Sequence, residues 1–119
     1  MKILFASPER DLLASYGRLL TEEGFDVLTA FDGTQAVELL DSADLLIIDE
    51  KIPRVSSESI IKQAGERGTP VIVLTYRAGA ADVGGVSYLP FPFAPQKLIS
   101  LCEKRGERQK NLNGGDING

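Results

Sequence analysis

The run Asp44–Asp49, DLLIID, constrains the fold more than any other stretch of this chain. Its apolar side chains occupy consecutive positions, so a strand built from it is greasy on both faces and needs a layer packed on each. Pro70–Thr75, PVIVLT, has the same character. Strands of this kind sit centrally in parallel sheets, where neighbours are joined by helical crossovers rather than tight hairpins.

The flanking segments supply those crossovers. KILFA (Lys2–Ala6), FDVLTA (Phe25–Ala30) and VSYLP (Val86–Pro90) read as the remaining strands. After the first, Leu12, Leu13, Tyr16, Leu19 and Leu20 recur at helical spacing, with Ser7 suited to the cap, Pro8 to the first helical position and Gly24 to the stop. Asp32 and Gly33 lead into a second helix through Ala36, Val37 and Leu40. A third is expected from about Ser57, with Ile60, Ile61 and Ala64 on one face, ending at Gly68. Pro95 opens a last helix to about Arg105, in which Cys102 falls at helical spacing from Leu98 and reads as a small core residue.

Between Thr75 and Val86 stands only YRAGAADVGG. Each of Gly79, Gly84 and Gly85 disfavours helix by about 1 kcal/mol relative to alanine, so one turn around Ala78–Asp82 is the most expected there. The alternation predicts an α/β doubly wound domain: a five-stranded parallel sheet in the order 2-1-3-4-5, with a shortened or missing fourth helix. The domain is expected over residues 1–105. Residues 106–119 lack apolar periodicity and are expected to form a flexible tail or linker.

Composition narrows the function classes. A net charge of -4 over 119 residues opposes direct nucleic-acid binding, which needs a basic surface. No apolar run reaches the roughly 18 residues of a membrane span, and one cysteine cannot close an internal disulfide. A cytoplasmic protein without membrane contact is expected. The chain has no histidine, which excludes histidine acid–base catalysis, histidine metal ligands and a phosphohistidine relay within it. The glycine-free loop SPERD after the first strand carries two acids and opposes the phosphate cradling of a flavodoxin-type ligand binder.

In doubly wound sheets the functional site lies beyond the carboxyl ends of the strands. Here those ends bring Ser7–Arg10, Asp49–Lys51, Thr75–Tyr76 and Pro90–Phe91 to one edge. The aspartate at the end of the third strand with Pro53 four positions on, the LT at Leu74–Thr75, and YLPFPF at Tyr88–Phe93 together resemble the receiver domain of bacterial two-component response regulators. The resemblance covers about Lys2 to Arg105. It implies a flavodoxin-like, CheY-like fold, with Asp49 as the aspartate that takes a phosphoryl group from a histidine kinase. It also implies Thr75 as the switch hydroxyl and Tyr88 as its aromatic partner.

The pattern departs from the family where the chemistry would be. Two adjacent acids that hold Mg²⁺ in receivers are Ser7 and Pro8 here. The lysine before the proline is Phe91, and the small residue after the threonine is Tyr76. Mg²⁺ needs hard oxygen ligands, and phosphoryl transfer relies on fixed positive charge. Of the remaining groups, Asp49 and the carbonyl of Lys51 offer little anchorage, and Glu9 falls one step into the helix. The expectation is therefore a degenerate receiver, a non-enzymatic protein–protein interaction module with a vestigial Asp49 and at best weak Mg²⁺ binding. Its expected partners are a histidine kinase or a downstream signalling protein, with a homodimer possible. The alternative is a working receiver phosphorylated on Asp49. Read as plain structure, Asp49 accepts loop N–H groups, Thr75 bonds locally, and Tyr88 and Phe91 serve packing.

Overall fold

A computed structural model describes the backbone of residues 1–118 and the side chains of residues 1–106. Strands β1 (Lys2–Ala6), β2 (Asp26–Ala30), β3 (Leu45–Asp49), β4 (Val71–Thr75) and β5 (Val86–Pro90) form one sheet in the order β2-β1-β3-β4-β5. Every pairing is parallel, and β3 and β4 are buried at each position, as their unbroken apolar runs require.

Alternate residues of each central strand feed two cores. Helices α1 (Arg10–Glu22) and α4 (Pro95–Asn118) cover one face, where Leu13, Leu20, Leu98 and Cys102 meet Ile3, Phe5, Ile47 and Ile72. Helices α2 (Gly33–Leu39) and α3 (Ser57–Glu66) cover the other, packing Ala36, Ile60 and Ala64 against Leu4, Leu46, Ile48 and Val73. Burial pushes the Cys102 thiol up to about 12, helped by the charge of Glu103, so it stays a neutral core group.

The start of α1 differs from expectation. Ser7 does not cap α1 and Pro8 does not open it. The helix begins at Arg10 behind Glu9, which makes no side-chain cap, and the Ser7 hydroxyl instead accepts the Glu9 N–H at 3.1 Å. This tight turn frees the Ser7 O–H for the sheet edge. At the other end of the chain, the backbone of α4 is described to Asn118, and the expectation of a tail or linker over 106–119 falls almost wholly on residues whose side chains lie outside the described ones. Gly119 lies outside the described residues altogether.

The connection from β4 to β5 contains no helix. Val83 and Val86 instead exchange backbone hydrogen bonds across Gly84 and Gly85, a tight reversal that Gly84 permits with a φ of 57°. The expected single turn around Ala78–Asp82 is replaced by a turn at Ala78–Gly79.

Candidate functional site

The carboxyl ends of β1, β3 and β4 place Ser7, Asp49 and Thr75 side by side, all fully buried. Register accounts for this, since Ala6 pairs with Ile48 and Asp49 with Leu74. Ser7 follows Ala6, Asp49 follows Ile48 and Thr75 follows Leu74, so the three reach the same edge of the sheet.

Both Asp49 carboxylate oxygens are occupied by donors from the protein. Oδ1 accepts the Lys51 backbone N–H at 2.9 Å. Oδ2 accepts the Ser7 hydroxyl at 3.2 Å and the Tyr76 hydroxyl at 3.3 Å. No buried side-chain polar atom among the described residues lacks a partner. Asp49 is thus a buried side chain whose oxygens face hydrogens supplied by its own chain.

Tyr76 does more than fill space. Its ring stacks on Phe91 with centroids 4.9 Å apart, and the Lys51 ammonium lies 4.1 Å from its centre on a cation–π contact. Phe91 meets Phe93 at 5.1 Å, and Phe93 meets Tyr16 of α1 at 5.3 Å. An aromatic row therefore runs from the helix layer to the Asp49 hydroxyl contact. Burial first, and then the negative charge of Asp49, raise the Tyr76 pKa above its ordinary value, so its O–H remains a donor. Glu9 and Glu50 add to that rise. Glu9, just ahead of α1 rather than one step into it, is near enough for its charge to act on Tyr76.

Thr75 makes the local contacts expected of a strand-end threonine. Its hydroxyl donates to Glu50 Oε2 at 2.8 Å and accepts the Arg77 N–H at 3.1 Å. Tyr88, expected as its aromatic partner, is half-buried on the α3 side of β5, and its N–H donates to Asp82. With no helix joining β4 to β5, a hollow of about 400 Å³ lies between Tyr88, Ile61, Ser57, Glu50 and Arg77.

Glu50 is the residue that sequence reasoning missed. Its carboxylate accepts the Thr75 hydroxyl and the Tyr76 N–H at 2.9 Å, and Arg77 Nε lies 3.5 Å away. It therefore ties the end of β3 to the end of β4 and sets the position of Tyr76. Partial burial opposes its charge, but the Tyr76 N–H, the Thr75 hydroxyl and Arg77 outweigh it, and the carboxyl sits below its ordinary 4.5. A depressed folded-state pKa contributes stability above the unfolded value and loses it as pH falls through the folded value. Glu50→Gln should cost about 1 kcal/mol at neutral pH, the usual worth of a weakened hydrogen-bond set. Urea unfolding across pH checks this: the gap between natural and variant protein should narrow progressively as pH falls below 4.5.

The comparisons place this geometry among known proteins. No family model matches the chain. The transcriptional regulatory protein CpxR of Escherichia coli K12 is 38% identical over 128 aligned residues, covering 96% of this chain and 55% of that protein. The response regulator MprA of Mycobacterium avium is 32% identical, covering 92% and 53%. The chain thus spans about half the length of the curated relatives it matches. Among solved structures, a response regulator receiver domain from Clostridium thermocellum superposes with a TM-score of 0.81 at 28% identity, covering 93% of this chain and 98% of that one. The receiver domain of the hybrid histidine kinase CckA gives 0.76 at 27%, covering 88% and 98%.

Proposed function

This chain belongs to the receiver domains of two-component response regulators, and from that premise we propose that it signals by protein–protein contact without Mg²⁺-dependent phosphorylation of Asp49. One observation carries the reading: each oxygen of the Asp49 carboxylate already accepts a hydrogen bond from the chain itself, Oδ1 from Lys51 and Oδ2 from Ser7 and Tyr76. An incoming phosphoryl group has to displace the Tyr76 hydroxyl, and the ring behind it is held by Phe91 and Lys51.

The residues do not fit the cation that the family implies. At the two positions of its acids stand a hydroxyl donor and a proline, and among the described residues no cluster of three acidic or thiol side chains could hold a metal. In this reading Asp49 is an architectural acid, the acceptor that gathers the ends of three segments. Thr75 and Tyr88 keep their switch positions without a phosphoryl group to respond to. The partner is a protein, either a histidine kinase or a downstream signalling protein, and a homodimer fits the same role. Among the described residues no helix is long and apolar enough to cross a membrane.

Isotopically labelled protein tests the reading. Backbone amide signals of Lys51, Thr75 and Tyr76 should stay in place on adding Mg²⁺ and then beryllofluoride, a phosphoryl mimic that docks on carboxylates. Saturable displacement of those signals by both additions would favour the alternative, in which a histidine kinase phosphorylates Asp49. Glu9 then offers a nearby second carboxylate for the cation.

A further inference from the structure

On the opposite flank of the sheet, Arg105 of α4 is only 7% exposed. Its Nε donates to Ser87 Oγ at 3.0 Å, and Nη2 donates to the same oxygen. Ser87 is itself 2% exposed, on the β5 face that packs against α4. A guanidinium carries five N–H donors and a full charge at any physiological pH. Here both hydrogen bonds converge on one neutral oxygen, and among the described residues no carboxylate lies within ion-pair distance of Arg105. Buried charges are ordinarily paired, because the desolvation penalty is several kcal/mol per ion.

The space beside Arg105 is open. A hollow of about 230 Å³ is lined by Arg105, Lys104, Ser87, Leu101, Gly84 and Asp82. Two cations face one acid there, and that acid already accepts the Tyr88 N–H through Oδ1. The glycine reversal that replaces a helix between β4 and β5 forms the outer wall, so the hollow exists because that connection is short.

We infer that this hollow is an oxyanion site, in which Arg105 and Lys104 take a phosphate or carboxylate group while Ser87 orients the guanidinium. It is separate from the Asp49 edge and does not depend on whether Asp49 is modified. Its volume suits inorganic phosphate or a small phosphomonoester or carboxylic acid. Asp82 limits the group to one negative centre and accepts a hydroxyl from a larger ligand.

Thermal unfolding of the full chain in phosphate, acetate and chloride at matched ionic strength is the test. Phosphate at about ten times its Kd should raise Tm by roughly 4 °C or more, with chloride silent. Acetate reproducing the rise assigns a carboxylate source, and its silence beside phosphate assigns a phosphate source; both support the site. The Gly84 and Ser87 amides and the Arg105 Nε–H should shift with the same saturation. Ser87→Asp gives Arg105 an internal partner and keeps it folded, so it should abolish the response, while Arg105→Gln should abolish it by removing the charge. A rise that persists in Ser87→Asp, or no response of Tm and of those signals to phosphate and acetate, overturns the inference.

Discussion

Protein carrying Ser7→Asp, Pro8→Asp, Tyr76→Ala and Phe91→Lys together is expected to bind Mg²⁺ about a hundredfold more tightly than the natural chain. Ser7 Oγ lies 3.2 Å from Asp49 Oδ2, so an aspartate there sets two carboxylates against each other in a fully buried place. Like charges that close cannot both stay ionised without compensation, and a divalent cation supplies it. Each added carboxylate is worth a few kcal/mol of attraction at intermediate dielectric, much of it offset by cation dehydration, leaving roughly tenfold per ligand. Tyr76→Ala removes the hydroxyl that now occupies Oδ2 and opens the edge. Phe91→Lys restores a cation facing the site, where it favours a phosphoryl anion rather than the metal. The variant should also be less stable than the natural protein without Mg²⁺ and recover with it. Calorimetric titration and Mg²⁺-dependent Tm read both effects. Equal affinities in the two proteins would mean that the donor-filled carboxylate is not what limits cation binding.

Gly33→Ala should destabilise the fold by about 3 kcal/mol, near the upper end for overpacking a tight interior. A Cβ at Gly33 meets Val55 O most closely, then Val55 N at 2.7 Å and Val55 Cβ at 2.8 Å. Two of these are backbone atoms, which cannot swing aside as a side-chain tip does. The Gly33 N–H also donates to Pro53 O at 2.8 Å, so the start of α2 and the Pro53–Val55 loop are locked together. Arg54, inside that loop, already holds a φ of 78°, an uncommon conformation for a residue with a side chain. Displacing the loop pulls on Lys51, whose N–H holds Asp49, so the Asp49 site should loosen as well. Gly65→Ala is the matched control. It lies in α3 with nothing within 4 Å of its Cβ position, and alanine there should stabilise by about 1 kcal/mol. Urea unfolding of the pair should therefore give shifts of opposite sign. Similar small losses in both would show that the loop yields easily.

Strand order, the parallel sheet and the missing fourth helix were all legible in the chain, because each follows from a dense local signal. DLLIID and PVIVLT have no polar face to turn outward, and the glycines at 79, 84 and 85 disfavour a full crossover helix. At the site, the positions were legible but their contacts were not. Ser7 looked like a cap and Tyr76 like bulk, whereas both donate to Asp49. Which way a hydroxyl points depends on the turn that follows its strand, and on a partner 42 or 27 residues away. Glu50 was overlooked for a related reason. An acid just past a strand reads as solvated loop until the register lays it beside Thr75 and Tyr76. Phe91 was legible as a lost lysine, but its stacking on Tyr76 required the fold. Arg105 marked only the expected end of the last helix, and it is the packing of α4 on β5 that buries it against Ser87.

Intact-mass measurement after incubation with acetyl phosphate and Mg²⁺ tests the role of Asp49 most directly. The natural chain should retain its unmodified mass, because both carboxylate oxygens already accept internal hydrogen bonds, one of them from the Tyr76 hydroxyl. Gain of one phosphoryl group within minutes, lost in Asp49→Asn, would contradict that and make the chain a working phosphoacceptor.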